Sequence, residues 1–332
     1  MAVPIVYDRI IDVCSELDEA ERVEIDSVSR ALAALGYRTF PLPVDLSVDK
    51  STFRDLDPRF VFNCIDTLDE SCRFAHFVPS ILDELGIPYT GSNADAIYLT
   101  SNKVLTKRFL EAHGVRTPRW CSIEEAAEGP EAFDRRFIFK HVWEDASFGL
   151  DERSVISRKA ELGERISGLG PGRAGDFFLE AFVDGREFNV SLIAGEGGPR
   201  ALPPMEIEFH DFPEGRPKIV DYKTKWETAS SSDTRVERRF DFPSDTAPLL
   251  RELTEISLRC WNLFRLDGYA RVDFRVDSDG VPWVLEINTN PYLGNDSSFV
   301  AATAKAGLTF EDVIRILVDA ALRRPCELGL GR

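Results

Sequence analysis

"GYARVDFRVDSDGVPWVLEINTNP", residues 268–291, reads as two strands joined by a polar turn, and it carries more charge than a core hairpin needs. Side chains alternate between the faces of a strand, so Tyr269, Arg271, Asp273 and Arg275 share one face while Ala270, Val272, Phe274 and Val276 share the other. On the return strand Val284, Glu286 and Asn288 are expected on one face. If Asp277 pairs with Pro282 around a four-residue loop, Asp273 lies opposite Glu286 and Arg271 opposite Asn288; a one-residue change in loop register breaks that pairing. Like charges directly opposite destabilise a sheet, and a buried unpaired carboxylate is costly or neutralises itself. Something positive belongs between the acids. A hard divalent cation takes two carboxylates and an amide as oxygen ligands; Arg271 and Arg275 on a solvated face are the alternative. The polar turn from Asn288 to Pro291, directly after the acidic strand, favours a site at the strand end.

Working outward, residues 3–8, 38–44, 60–65 and 87–92 read as strand-like runs. A helix over 18–35 (Val23, Val28, Ala31, Leu32 and Leu35, stopped by Gly36) and another ending at Gly86 alternate with them. That alternation predicts a parallel α/β sheet over residues 1–99. A helix over 102–114, strands at 137–142 and 154–158 and a further helix predict a small α+β unit over 100–178, closing in a glycine-rich loop at 168–175. Residues 179–332 form a third unit. It holds strand-like runs from 177–183 onward, at 187–195, 200–209 and 218–226, then a helix over 246–265, the hairpin, and helices near 297–306 and 310–323.

The 332 residues carry a net charge of −17, which argues against nucleic acid or an anionic membrane as partner and for small-molecule work. No apolar run is long enough to span a bilayer, and the acidic N-terminal stretch lacks the features of a secretory signal, so a cytoplasmic location is expected. The cysteines at 14, 64, 72, 121, 260 and 326 form no CxxC pair and read as reduced, structural thiols. The glycosylation patterns at Asn189 and Asn295 read as chance.

At the hairpin the chain resembles the ATP-grasp superfamily, and within it the D-alanine–D-alanine ligases. "YTGSNADAIYLTSNKVLTKRFLEAHGVRTP" (89–118) is similar to that family's junction into its central domain, and "FFLEAFVDGREFNVSLI" (177–193) to its nucleotide strand. The similarity runs in order from about residue 60 to 323. It implies an ATP-grasp fold of three domains, α/β and α+β, with ATP between the central and C-terminal domains. Asp273, Glu286 and Asn288 are then the ligands of two Mg²⁺ ions, with Mn²⁺ as a substitute. Lys103, Lys140 and Lys225 resemble the lysines that contact ATP phosphates, Glu180 the acceptor for the adenine amino group, Val183 the backbone contact to the ring and Glu187 the ribose partner; Leu285 joins the nucleotide contacts. Arg271 resembles the arginine that stabilises the tetrahedral intermediate, and Ser297 a hydroxyl that holds a substrate carboxylate. The resemblance also implies a homodimer.

The residues themselves support these roles unequally. A lone ammonium at the end of an apolar strand, as at Lys140, needs a partner. Glu180, among Phe177, Phe178 and Phe182, needs a donor, which adenine or a buried salt bridge supplies. Ser297 also suits the N-cap of the helix that follows. Departures from the family cluster on the amino-acid side. The glycine-rich segment after the first strand is absent, leaving Glu16, Glu19 and Glu21 as candidates for the substrate amino group; "NCIDTLDESCRFAHF" (63–77) replaces a second such stretch. Ala146 stands where a serine is common, with Ser147 the nearest hydroxyl; Trp226 replaces an aromatic hydroxyl, and Tyr292 a glycine whose amide helps hold an oxyanion. The expected activity is therefore ATP-dependent carboxylate–amine ligation through an acylphosphate, on small-molecule substrates other than two D-alanines. An authentic D-alanine–D-alanine ligase and a non-catalytic ATP-binding module are the alternatives.

Overall fold

The computed structural model describes residues 2–9, 16–130, 132–144, 151–170, 172–213, 215–219 and 235–324. β1 (Val3–Asp8), apolar and almost wholly buried, lies between β2 (Thr39–Val44) and β3 (Phe62–Asn63) in a parallel sheet of order β2-β1-β3. Parallel strands need crossovers, and α1 (Glu16–Ala34) and α2 (Lys50–Leu56) occur between them, with α3 (Phe77–Leu85) after the third. α1 buries Ile25, Val28, Ala31 and Leu32 against this sheet.

α4 (Ala94–Ser101) and α5 (Lys103–Ala112) are separated by Asn102 alone, whose side chain caps α5 by accepting from the Leu105 amide at 2.8 Å. There follow β4 (Trp120–Ser122), α6 (Ile123–Glu128), β5 (Ala132–His141), β6 (Val155–Arg158), α7 (Lys159–Ser167) and β7 (Phe177–Ala181). The strands form an antiparallel sheet of order β4-β7-β5-β6. Phe137, Phe139, Leu179 and Ala181 pack with Ile123, Ala126, Ile156 and Leu162. Alternation therefore turns Ile138, Lys140, Phe178 and Glu180 to the opposite face. The boundary expected between residues 178 and 179 falls inside β7, whose pairing extends this sheet to Ala181.

β8 (Arg186–Ile193), β9 (Arg200–Ala201), β10 (Met205–His210), β11 (Arg235–Arg239), α8 (Ala247–Phe264), β12 (Tyr269–Val276) and β13 (Pro282–Asn288) build the largest unit. Its sheet runs β11-β10-β8-β12-β13, with β9 on β8. One face, Phe188, Val190, Leu192, Ala270, Val272 and Phe274, packs on Leu253, Cys260, Trp261 and Phe264 of α8. The other face is left for polar side chains. The crossover from β7 runs so close to the end of β12 that a Cβ on Gly185 would lie 2.0 Å from the Val276 carbonyl oxygen, which requires glycine there. α9 (Ser298–Lys305) and α10 (Phe310–Arg323) return to the first core, where Val313, Ile314 and Leu317 join Val28 and Phe60. The expected strand at 218–226 lies for the most part outside the described residues; β11 was not anticipated. No helix among the described residues is long and apolar enough to cross a membrane.

The hairpin departs from its expected register and then regains it. Val276, rather than Asp277, pairs with Pro282, so the loop is one residue longer than assumed. A bulge between Asp273 and Phe274 on one strand and Val284 and Glu286 on the other absorbs Leu285 as an extra residue. Beyond it Asp273 faces Glu286 and Arg271 faces Asn288, as expected. The bulge also corrects the face assignment: Val284 joins Ile287 in the core and not Glu286 and Asn288.

Candidate active site

Because β8 and β12 pair with Asn189 beside Asp273 and Glu187 beside Arg275, period-two alternation collects Glu187, Asn189, Asp273 and Arg275 on the polar face of the large sheet. The two oxygens of Asp273 accept from Arg271 Nε and Nη2, each at 2.7 Å, and Oδ1 also accepts from Asn189 Nδ2 at 2.6 Å. Glu286 pairs with Lys103 at 3.2 Å. Burial alone would raise its carboxyl, but Lys103, Lys140 and Arg271 outweigh that and hold it down to about 2. Glu187 meets Arg275 at 2.7 Å, and burial keeps its carboxyl above the usual range despite that arginine. The arginine-neutralised arrangement is thus the one found for Asp273, while a lysine faces Glu286. Asp273, Glu286 and Asn288 present only oxygen as ligand atoms on one sheet end, a donor set that fits a hard divalent cation.

The facing wall is the small sheet and α5. Lys103 is the first residue of α5 and only 7% exposed; its amide donates to the Val142 carbonyl at 2.9 Å, which ties α5 to the end of β5. Lys140 Nζ donates to Glu180 Oε1 at 2.6 Å, and the fully buried Lys107, which also donates to Thr117 Oγ1 at 2.7 Å, pairs with the other oxygen of Glu180. Burial would raise Glu180, yet the two ammonium groups hold it below the usual carboxylate range. Of the two readings of Glu180, the buried ion pair is therefore present in the structure. Val183 lies in the crossover between β7 and β8, and Leu285 at the bulge, both half-buried.

Downstream of β13 the loop to α9 meets the N-terminal unit. Asn288 Oδ1 accepts from the Asn290 amide at 2.9 Å, and Asn290 Nδ2 donates to the Ile65 carbonyl at 2.8 Å. Ser297 caps α9, accepting from the Val300 amide at 3.0 Å. Tyr292 donates its hydroxyl to the Ala20 carbonyl at 3.0 Å and packs its ring on Gly294, where a Cβ would lie 2.1 Å from it. Glu24, on α1 and 7% exposed, accepts from the Leu293 amide at 2.8 Å. Burial, with Asp66 and Glu21 nearby, pushes its carboxyl up to about 8 in spite of that bond. Of the acids expected for a substrate amino group, Glu21 is near this point; Glu19 is exposed, and the side chain of Glu16 lies outside the described residues.

Ser147, Lys225 and Trp226 lie outside the described residues. Sequence reasoning passed over Lys107, Asn189 and Glu24. Lys107 follows Lys103 by one helical turn and so shares its face, a signal available in the sequence. Asn189 alternates with Glu187 along β8; its burial, with that of Ser191, agrees with dismissing the glycosylation pattern there. Glu24 has no such mark, because its burial depends on a loop nearly 270 residues away. Cys64, Cys121 and Cys260 are free thiols.

Residues 137–319 match the model of the D-ala D-ala ligase C-terminus. The uncharacterized protein y4sG of Sinorhizobium fredii is 32% identical over 308 residues, 90% of this chain and 87% of that protein. A D-alanine–D-alanine ligase of Cupriavidus pinatubonensis is 30% identical over 249 residues, 73% of this chain and 70% of its own. Among solved structures, D-alanyl-alanine synthetase A from Vibrio cholerae superposes with a TM-score of 0.76 at 18% identity, covering 97% of this chain and 99% of that one, a likeness of fold.

Proposed function

This chain belongs to the D-alanine–D-alanine ligase family of ATP-grasp enzymes, and from that premise we propose that it joins a carboxylate to an amine other than two D-alanines. It is an ATP-dependent ligase that forms a C–N bond and releases ADP. The observation that carries the reading is the meeting of Lys103 and Glu286 across the two walls at 3.2 Å, beside Asp273, Asn288, Arg271 and Lys140. Asp273, Glu286 and Asn288 would hold Mg²⁺, which when bound neutralises charge on the transferring phosphoryl group. Lys103 and Lys140 grip the phosphates. A carboxylate offers about four acceptor sites, so Glu180 can orient Lys140 and Lys107 and still accept from adenine. Val183, Leu285 and Glu187 complete the nucleotide contacts.

The substrate carboxylate attacks the γ-phosphorus and ADP leaves; the amine then attacks the acyl carbon and phosphate leaves. Arg271 donates to the oxyanion formed in between. Glu24 receives the ammonium group of the first substrate beside Glu21 and Asp66, the incoming positive charge releasing to solvent the proton that burial keeps on its carboxyl. Ser297 has its hydroxyl hydrogen left to donate to a substrate carboxylate. Tyr292, anchored on α1, narrows the region where the family carries glycine, which supports a different substrate pair.

The test is ADP formation with a panel of amino acids and amines. Stimulation by a carboxylate and an amine other than D-alanine is expected. Stimulation by D-alanine alone would restore the authentic ligase, and tight ATP binding without turnover would leave a nucleotide-binding module.

A further inference from the structure

Residues 63–77 depart from the family and, Asp66 apart, are not used by the chemistry above. They run from Ile65, whose carbonyl accepts from Asn290, to a 3₁₀ turn at Cys72–Phe74 that reaches the opposite wall of the site. Ser71 caps that turn, accepting from the Arg73 amide at 3.3 Å, and its hydroxyl donates to Glu144 Oε1 at 3.2 Å. The Arg73 guanidinium lies 5.3 Å from the centre of the Trp143 ring, and Tyr98 packs on the same ring at 5.6 Å. Trp143 and Glu144 in turn close the end of β5: their amides both donate to His141 Nδ1 at 3.1 Å, and Val142 accepts from Lys103. An unbroken series of contacts therefore leads from Arg73 and Ser71 to the backbone that carries Lys140 and Lys103.

Resting on the reading of these two lysines as phosphate-binding groups, we propose that Ser71 and Arg73 are positioning residues. They fasten the turn after β5 to the N-terminal unit and so set Lys103 and Lys140 at the distance the phosphates require. The same short segment touches the loop after β13 through Ile65, so one piece of chain indexes the nucleotide wall against the amino-acid side.

The test is a double-mutant cycle on ADP·Mg²⁺ affinity, measured calorimetrically without amino acids in Arg73→Ala, Trp143→Leu and the double variant. Arg73 is exposed, so its removal leaves the fold intact. Each single change should weaken ADP about threefold, the size of one exposed cation–π contact. The double variant should bind no worse than the weaker single, Arg73→Lys should recover part of the loss, and melting temperatures should stay unchanged. Wild-type affinity in the singles, losses that multiply, or affinity that merely tracks a falling melting temperature would overturn the proposal. Absence of ADP binding by the wild type would overturn the phosphate reading with it, whereas failure of amide formation alone would touch only the substrate assignment.

Discussion

Glu180 shows how one buried acid can organise a wall. Sealed at 2% exposure between Lys107 and Lys140, it is worth keeping only while both cations remain, because breaking a buried pair strands a charge. Glu180→Gln should cost about 3–5 kcal/mol in urea unfolding, and Lys140→Ala should destabilise the chain as well as weaken ATP binding; near-wild-type stability in the first would place the carboxylate in solvent. Glu24 gives a prediction of its own. Its carboxyl is raised to about 8 in the fold, so the native state binds the extra proton between roughly pH 4.5 and 8, and its contribution to stability is lost as pH rises through that window. The urea midpoint should fall from pH 5 to pH 8.5 in the wild type and fall less in Glu24→Gln; equal slopes would remove Glu24 as the cause. Glu286, held near 2, acts in the opposite sense, its contribution disappearing only as pH falls below the ordinary carboxylate range. Glu180 was legible in the sequence because a charge among phenylalanines demands a partner. Glu24 was not, since an acid on an amphipathic helix looks solvated until the loop that buries it is known.

At the scale of elements, strand alternation made most of the site readable: Glu187, Arg271, Asp273 and Arg275 fall on one face by period two alone. What alternation could not supply was the bulge. The turn is one residue longer than assumed, and the extra Leu285 returns Glu286 to a place opposite Asp273. Two departures cancel, and no residue in "PWVLEIN" announces either, because turn length and bulge are fixed jointly by packing of Val284 and Ile287 into the core. Deleting Leu285 should therefore remove the bulge and leave a regular ladder in which Glu286 still faces Asp273, with α8 packed on β8 and β12. Circular dichroism should show retained secondary structure and ADP formation should persist; a folded but inactive deletion variant would mean that the register at Asp273 is not enough to position the acids.

Across the molecule, the chain closes on itself: α9 and α10, at the end of the described sequence, complete the core of the first sheet, and Arg324 donates to Asp267 at 2.8 Å beside the 87–92 junction. The segments proposed for the amino-acid side, α1, residues 63–77 and 288–297, are brought together by this closure, whereas several of the residues proposed for the nucleotide lie on strands that the sequence displays openly. Facing a metal-bound nucleotide and driving ligation is the role proposed for the acids on the hairpin. Its most direct measurement is single-turnover ADP formation by Glu286→Gln, with the carboxylate and amine found for the wild type. A loss of about a hundredfold or more is expected, comparable to removing one preorganised charge-stabilising group, in a variant that circular dichroism shows to be folded. ADP formation at the wild-type rate in that variant would contradict it.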